Sequence, residues 1–166
     1  MGIIFNESDF EDVYDASTEK SEKKDGNKIS LISSYLYAFG NDVRFLHLYT
    51  IGNEFLPYHE KLNELYDIAF EAYDMCAEHA IVLGEKLVNP ANVLEECDDW
   101  KPLNLDKDGF TLTRICGEVI ERGNKVLDII KNIAQYESFI QSDVDEVTSK
   151  LDKIINYVFK QTSDEA

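Results

Sequence analysis

The chain has 166 residues and a formal net charge of −17 at pH 7. Its length predicts one domain, and a surface this acidic argues against binding to nucleic acid or to an anionic membrane, since both are negative themselves. No apolar run approaches the length of a membrane span. Three cysteines without a CxxC pair (Cys76, Cys97 and Cys116) indicate reduced thiols and a cytoplasmic protein rather than a disulfide framework.

Residues 1–28 are expected to form a flexible, acidic arm in front of a folded domain over residues 29–166. The half from Ser17 to Lys28 is nearly all polar, a composition that buries too little apolar surface to fold alone. Residues 1–16 place Ile3, Ile4 and Phe5 and further apolar side chains among acids. They either pack on their own subunit, which we favour, or dock on a protein partner. Four lysines face eight acids across the arm, so it should not neutralise DNA phosphates.

The next two segments predict long amphipathic helices. Apolar residues recur at a period near 3.6 from Ile29 or Ser30 onward, and this first helix should stop near Gly52-Asn53, where Asn53 or Glu54 can begin the next. The second helix is expected from Phe55 to Leu87, ended by Asn89-Pro90. The residues expected to face the core are Leu31, Ile32, Tyr35, Leu36, Phe39, Val43 and Leu46, then Leu62, Leu65, Tyr66, Ala69, Tyr73, Cys76, Ala80 and Leu83.

A long connection and two more helices complete the chain. Residues 92–97 predict a short helix within the connection, which continues through Gly109. Thr111 or Thr113 can cap a third long helix, and Ser142 or Asp143 a fourth. No segment alternates with period two over a useful length, so no sheet is expected. Together these elements predict an all-α four-helix bundle with a short helix between helices 2 and 3.

The stretch from His47 to Gly84 contains all three histidines of the chain. His59 and Asn63 are four residues apart, as are Asp74 and Glu78, so each pair shares a helix face. Asn63 and Asp74 are separated by close to three turns, which puts both pairs on one stripe. Solvated helix faces also carry such pairs. A stripe of imidazoles and carboxylates is, however, what a helical bundle uses to hold a first-row metal.

The residue pattern of the whole stretch resembles the central signature of the Dps family, the mini-ferritins. The matching positions are a His at 47, Gly52 and Phe55 at the turn, His59-Glu60 opening the next helix, and Asp74 followed by Ala77-Glu78. The resemblance implies a ferritin-like bundle that assembles into a hollow, twelve-subunit shell. It also implies a di-iron site between subunits, where peroxide or oxygen oxidises Fe(II) and the ferric product is stored.

The resemblance also implies the roles of the site residues. His47, His59 and position 63 of one subunit would meet Asp74 and Glu78 of a two-fold mate, with Glu78 bridging the irons. Three acids at the start of the fourth helix, Asp143, Asp145 and Glu146, would line a three-fold pore. They can equally complement the helix dipole.

Asn63 stands where the family carries a carboxylate, and it divides two hypotheses for function. An uncharged amide is a poor iron ligand, so the second iron position, held by His59 and Asn63, would bind iron weakly. The protein is then a ferroxidase and iron store, or a Dps-like shell with a structural or cargo role and weakened or lost activity. Glu60 and Glu64 could compensate, although each lies one helical step of about 100° off the stripe. A DNA-protecting role is disfavoured by the net charge.

Overall fold

A computed structural model describes residues 29–52, 55–97, 99–104, 110–133 and 138–163. Its elements are α1 (Ile29–Tyr49), α2 (Phe55–Val82), α3 (Val93–Glu96), α4 (Leu112–Ile133), α5 (Ser138–Asp152) and α6 (Lys160–Ser163), with a π-helical stretch at Lys153–Phe159 joining the last two. The arm at 1–28, the turn residues Asn53 and Glu54, and the end of the connection at Gly109 lie outside the described residues.

The long helices form a four-helix bundle made of two hairpins. α1 packs on α2 and on α4, while α5 packs on α2 and on α4. The connection from α2 to α4 therefore crosses between diagonal corners of the bundle. This arrangement confirms the expected all-α fold and its crossover.

Helix α1 is the most deeply buried element, because its apolar face meets three partners. Of its predicted core residues, Leu31 alone is only partly buried. Three serines near its start are buried too, and the hydroxyls of Ser33 and Ser34 donate to the carbonyl oxygen of Ser30. These bonds satisfy polar groups that would otherwise be costly inside the bundle.

Helix α2 ends at Val82, five residues before the predicted end at Leu87, so this boundary was wrong. Gly84 adopts a φ of +72°, and the amide of Glu85 donates to the carbonyl of Ala80 at 2.8 Å. This is a glycine-terminated C-cap that closes the helix before Asn89-Pro90 is reached. Leu83, expected in the core, is 43% exposed as a result. The Glu85 carboxylate then caps α1, accepting from the Ser30 amide at 2.9 Å.

The crossover contains a 3₁₀ turn at Pro90–Asn92 followed by α3, as the sequence predicts for residues 92–97. It is held to the bundle by Trp100, whose indole N–H donates to a carboxylate oxygen of Asp42 at 2.9 Å. Arg122 of α4 donates to the same oxygen at 2.7 Å and to the Lys101 carbonyl at 2.8 Å. Burial raises the pKa of Asp42, and the Arg122 charge opposes that change.

Helix α5 begins at Ser138, earlier than the predicted caps Ser142 and Asp143, which therefore lie inside it. The apolar side chain of Ile140 explains the difference, because it is fully buried and extends the core face one turn upstream. Within the part of the chain that the structure describes there is no strand, only an isolated bridge between Thr50 and Phe110. None of the described helices is both long and apolar enough to span a membrane.

Candidate metal centre

His47 and His59 face each other where α1 gives way to α2. Their rings stack with centroids 3.7 Å apart, and the Phe55 ring stacks on the other side of His59 at 4.7 Å. His47 lies in the last turn of α1 and His59 in the second turn of α2, so the tight α1–α2 connection brings together residues twelve apart in sequence. Both rings are partly buried.

The contacts around the two rings decide which nitrogen of His59 donates and favour the neutral form of His47. Nδ1 of His59 lies 3.1 Å from the carbonyl oxygen of His47. A carbonyl only accepts, so Nδ1 of His59 carries a proton, and Nε2 is the nitrogen left for a metal. Burial, then the neighbouring His59 and Arg44, lower the pKa of His47. Neutral imidazole is the form that binds a metal.

Nδ1 of His47 is buried and has no hydrogen-bond partner among the described residues. An unsatisfied buried nitrogen lowers stability and calls for a physical explanation, such as a bound ion. The Tyr66 ring packs against the His47 ring in a T-shaped arrangement, with the two centroids 5.5 Å apart.

Asn63 lies one turn after His59 and is held by two side-chain hydrogen bonds. Its Oδ1 accepts from the Tyr66 hydroxyl at 2.8 Å, and its Nδ2 donates to Oδ2 of Asp67 at 3.1 Å. The sequence reasoning did not single out Tyr66 or Asp67 for the site. Their spacing of three and four residues from Asn63 is the signal that could have found them.

Asp74 and Glu78 are exposed on α2, well away from His47 and His59. Asp74 follows His59 by fifteen residues, which is roughly 22 Å along a helix at about 1.5 Å per residue. Within the described residues of one chain, no three His, Cys, Asp or Glu side chains come together as a metal-binding group. The two halves of the stripe can meet only across two chains.

Four of the other acids considered from the sequence have partners of their own. Glu64 pairs with Lys61 at 2.7 Å. Asp143 lies 2.9 Å from Nε2 of His79, Asp145 accepts from Gln141 at 2.8 Å, and Glu146 pairs with Lys150 at 2.9 Å. The three-fold pore remains a prediction, now with named intrachain contacts for each acid.

No protein-family model and no curated protein matches the sequence. Solved structures do match its fold. Helicobacter cinaedi CAIP superposes with a TM-score of 0.69 at 22% identity, covering 81% of this chain and 96% of that one. Dps from Microbacterium arborescens, solved in a high iron form, gives 0.68 at 14% identity over 81% and 90%. Dps from Staphylococcus aureus gives 0.58 at 18% identity over 81% and 91%.

These structures and the present chain share the four-helix bundle over most of their lengths. At these identities the match establishes the architecture. The shared fold agrees with the family resemblance of the stretch from His47 to Gly84. The chain therefore has the ferritin-like four-helix fold of the Dps proteins.

Proposed function

We propose that the protein is a mini-ferritin that oxidises Fe(II) at a site shared by two subunits and stores the ferric product inside a hollow oligomer. The observation that carries the proposal is the stacked His47–His59 pair, in which the buried Nδ1 of His47 lacks a hydrogen-bond partner among the described residues. Neutral imidazole and carboxylate ligands suit Fe(II), and carboxylates stabilise Fe(III) once it forms.

The distribution of the ligands along α2 supports a shared site. Two antiparallel copies of α2 would bring the histidine end of each helix to the acid end of the other. Asp74 and Glu78 of the mate would then complete the set begun by His47 and His59. Apolar side chains that are exposed in one chain cluster at the same two ends, including Leu48 at 61% and Val82 at 71% exposure. A two-fold contact would bury them.

The chemistry asked of the site is a paired one-electron oxidation. Two Fe(II) ions each give up one electron to one molecule of hydrogen peroxide. Its O–O bond breaks, and with two protons it leaves as two molecules of water. Glu78 would bridge the two ions, His47 and the mate's acids would hold one, and His59 and Asn63 the other.

A second candidate function has its own supporting observation. The oxygen and the nitrogen of the Asn63 amide are already hydrogen-bonded to Tyr66 and Asp67. The amide also carries no negative charge with which to bind a dication. A shell with weakened or lost ferroxidase activity, serving a structural or cargo role, is the function that this contact favours.

An anaerobic Fe(II) titration of the full-length protein by calorimetry separates the two. We expect one tightly and one weakly bound Fe(II) for each shared site, and rapid oxidation of the bound ions when peroxide is added. His47→Ala should remove the tight binding. If the parent binds no Fe(II) at these sites, the shell function replaces the ferroxidase.

A further inference from the structure

The second iron position is short of one negative charge, because Asn63 occupies the place of a carboxylate. The structure contains a carboxylate next to it. Oδ2 of Asp67 lies 3.1 Å from Nδ2 of Asn63, one helical turn further along α2. Side chains on a helix lean toward its N-terminus, and this contact places the Asp67 carboxylate over the turn that carries Asn63.

This carboxylate is not neutralised by a neighbouring cation. No ion-pair partner of Asp67 occurs in the described parts of the chain, whereas Glu64, three residues earlier, pairs with Lys61 at 2.7 Å. The negative charge of Asp67 also acts on His47, where it opposes the lowering of the His47 pKa. Asp67 is therefore a carboxylate that is held by a neutral amide, has no ion-pair partner among the described residues, and lies within electrostatic reach of His47.

We propose that Asp67 is the carboxylate ligand of the second Fe(II) position, presented there by the Asn63 amide. The inference rests on the proposed ferroxidase function and adds a residue to its site. The Tyr66 hydroxyl holds Oδ1 of Asn63 at 2.8 Å, which turns Nδ2 toward Asp67. Tyr66 and Asn63 are then positioning residues, and Asp67 supplies both charge and oxygen ligand.

A double-mutant cycle between positions 63 and 67 tests this assignment in the assembled, full-length protein. Anaerobic Fe(II) titrations would compare the parent, Asp67→Asn, Asn63→Asp and the double variant. We expect Asp67→Asn to weaken the second Fe(II) by on the order of 10-fold to 100-fold in the parent. The same change in the Asn63→Asp background should cost far less, because Asp at position 63 supplies the charge there.

Glu64→Gln is the matched control, since it removes one acidic charge from the same region of α2. It should leave both affinities unchanged. Co(II) provides a readout that a purely structural role would not move: its visible absorption bands at the second position should change in Asp67→Asn and not in Glu64→Gln. Circular dichroism and thermal melting verify that each variant folds.

The possible outcomes distinguish the assignment of Asp67 as a ligand from the proposed ferroxidase function. Fe(II) binding by the parent that is equally tight in Asp67→Asn overturns the assignment of Asp67 and leaves the ferroxidase standing. An equal loss in both backgrounds, or weaker binding with unchanged Co(II) bands, also overturns the ligand role. A parent that binds no Fe(II) overturns both proposals.

Discussion

At the scale of single residues, the candidate centre consists of side chains whose partners are set by helical spacing and by one tight turn. The stacked histidines come from two helices, and Asn63, Tyr66 and Asp67 from successive positions of one. Since each pair contact is local, a substitution at one of these residues should alter iron chemistry while leaving the bundle intact.

Asn63→Asp should speed peroxide-driven Fe(II) oxidation, because it adds a negative charge beside a dication. We expect a gain on the order of 10-fold, the size of effect that changes beside a metal site usually have. The new carboxylate would face Asp67, so part of the gain is offset by repulsion between like charges. Stopped-flow absorbance of the ferric product measures the rate.

Glu78→Gln should abolish oxidation at both positions, and a parent rate retained in that variant would contradict the bridging role.

The thiols should be inert in the native protein. All three cysteines are buried, and burial raises the pKa of Cys76 to about 12 and also raises that of Cys116. At pH 8 the reactive thiolate of Cys76 is then roughly one part in 10⁴. Ellman's reagent should detect no thiol in the native protein and three after unfolding in guanidinium. Rapid modification of the native protein would show that the core opens at one of these positions.

At the scale of elements, the least regular part of the bundle is the π-helical stretch Lys153–Phe159. It packs against α4 at a close approach: a Cβ added to Gly123 would lie 2.5 Å from Cδ1 of the fully buried Ile155. The amides of Asn124 and Asn156 bond to each other next to this contact at 2.8 and 3.1 Å. One residue without a side chain thus sets the separation of two helices.

Gly123→Ala should therefore destabilise the fold by about 1–3 kcal/mol through overpacking. Gly117 on the same helix is the control, since nothing lies within 4 Å of a Cβ there, and Gly117→Ala should stabilise by roughly 0.5–1 kcal/mol. Thermal unfolding midpoints measure both changes. Ile155→Val, which removes Cδ1, should recover part of the loss in the Gly123→Ala background. Equal effects at the two glycines would contradict the close approach.

At the scale of the whole molecule, the exposed apolar residues at the ends of α1 and α2 predict association. One group, including Leu48 and Leu56 at 61% and 62% exposure, lies beside the histidines. The other, including Ile81 and Val82 at 62% and 71%, lies beyond Glu78. Both are contiguous with the two halves of the metal stripe, so the same contact would bury the apolar groups and complete the site.

Multi-angle light scattering should report a closed oligomer of about 228 kDa, twelve times the 19.0 kDa chain. Leu48→Glu and Val82→Glu place a charge at opposite ends of the same expected interface, so each should shift the protein toward smaller species. A monomeric parent in mild salt would contradict the assembly, and with it the shared iron site.

The assembled protein should not bind DNA at neutral pH. Twelve copies at −17 each carry −204, and repulsion from phosphate acts against every approach. A gel shift at low salt should show free DNA at all protein concentrations. Tight, salt-sensitive retention would contradict this and would direct attention to Lys20, Lys23, Lys24 and Lys28.

Local sequence by itself determined the helices, their core faces and the positions that share the stripe. The period of 3.6 decides which residues can be buried together, and a shared face follows directly from spacing along one helix. The end of α2 at Val82 was missed because the cap at Gly84, and not Pro90, ends that helix. The start of α5 at Ser138 was missed because the buried Ile140 extends the helix upstream of Ser142.

Only the tertiary structure decided which residues of the metal stripe come together within one chain. Spacing puts His59 and Asp74 on one face, but a rigid helix keeps them roughly 22 Å apart, so no fold of a single chain can bring them together along α2. The stacking of His47 on His59 depends on the path of the α1–α2 turn. The contact of Asp67 with Asn63 depends on side-chain torsions that neighbours such as Tyr66 select. Sequence spacing limits such contacts, and packing chooses among them.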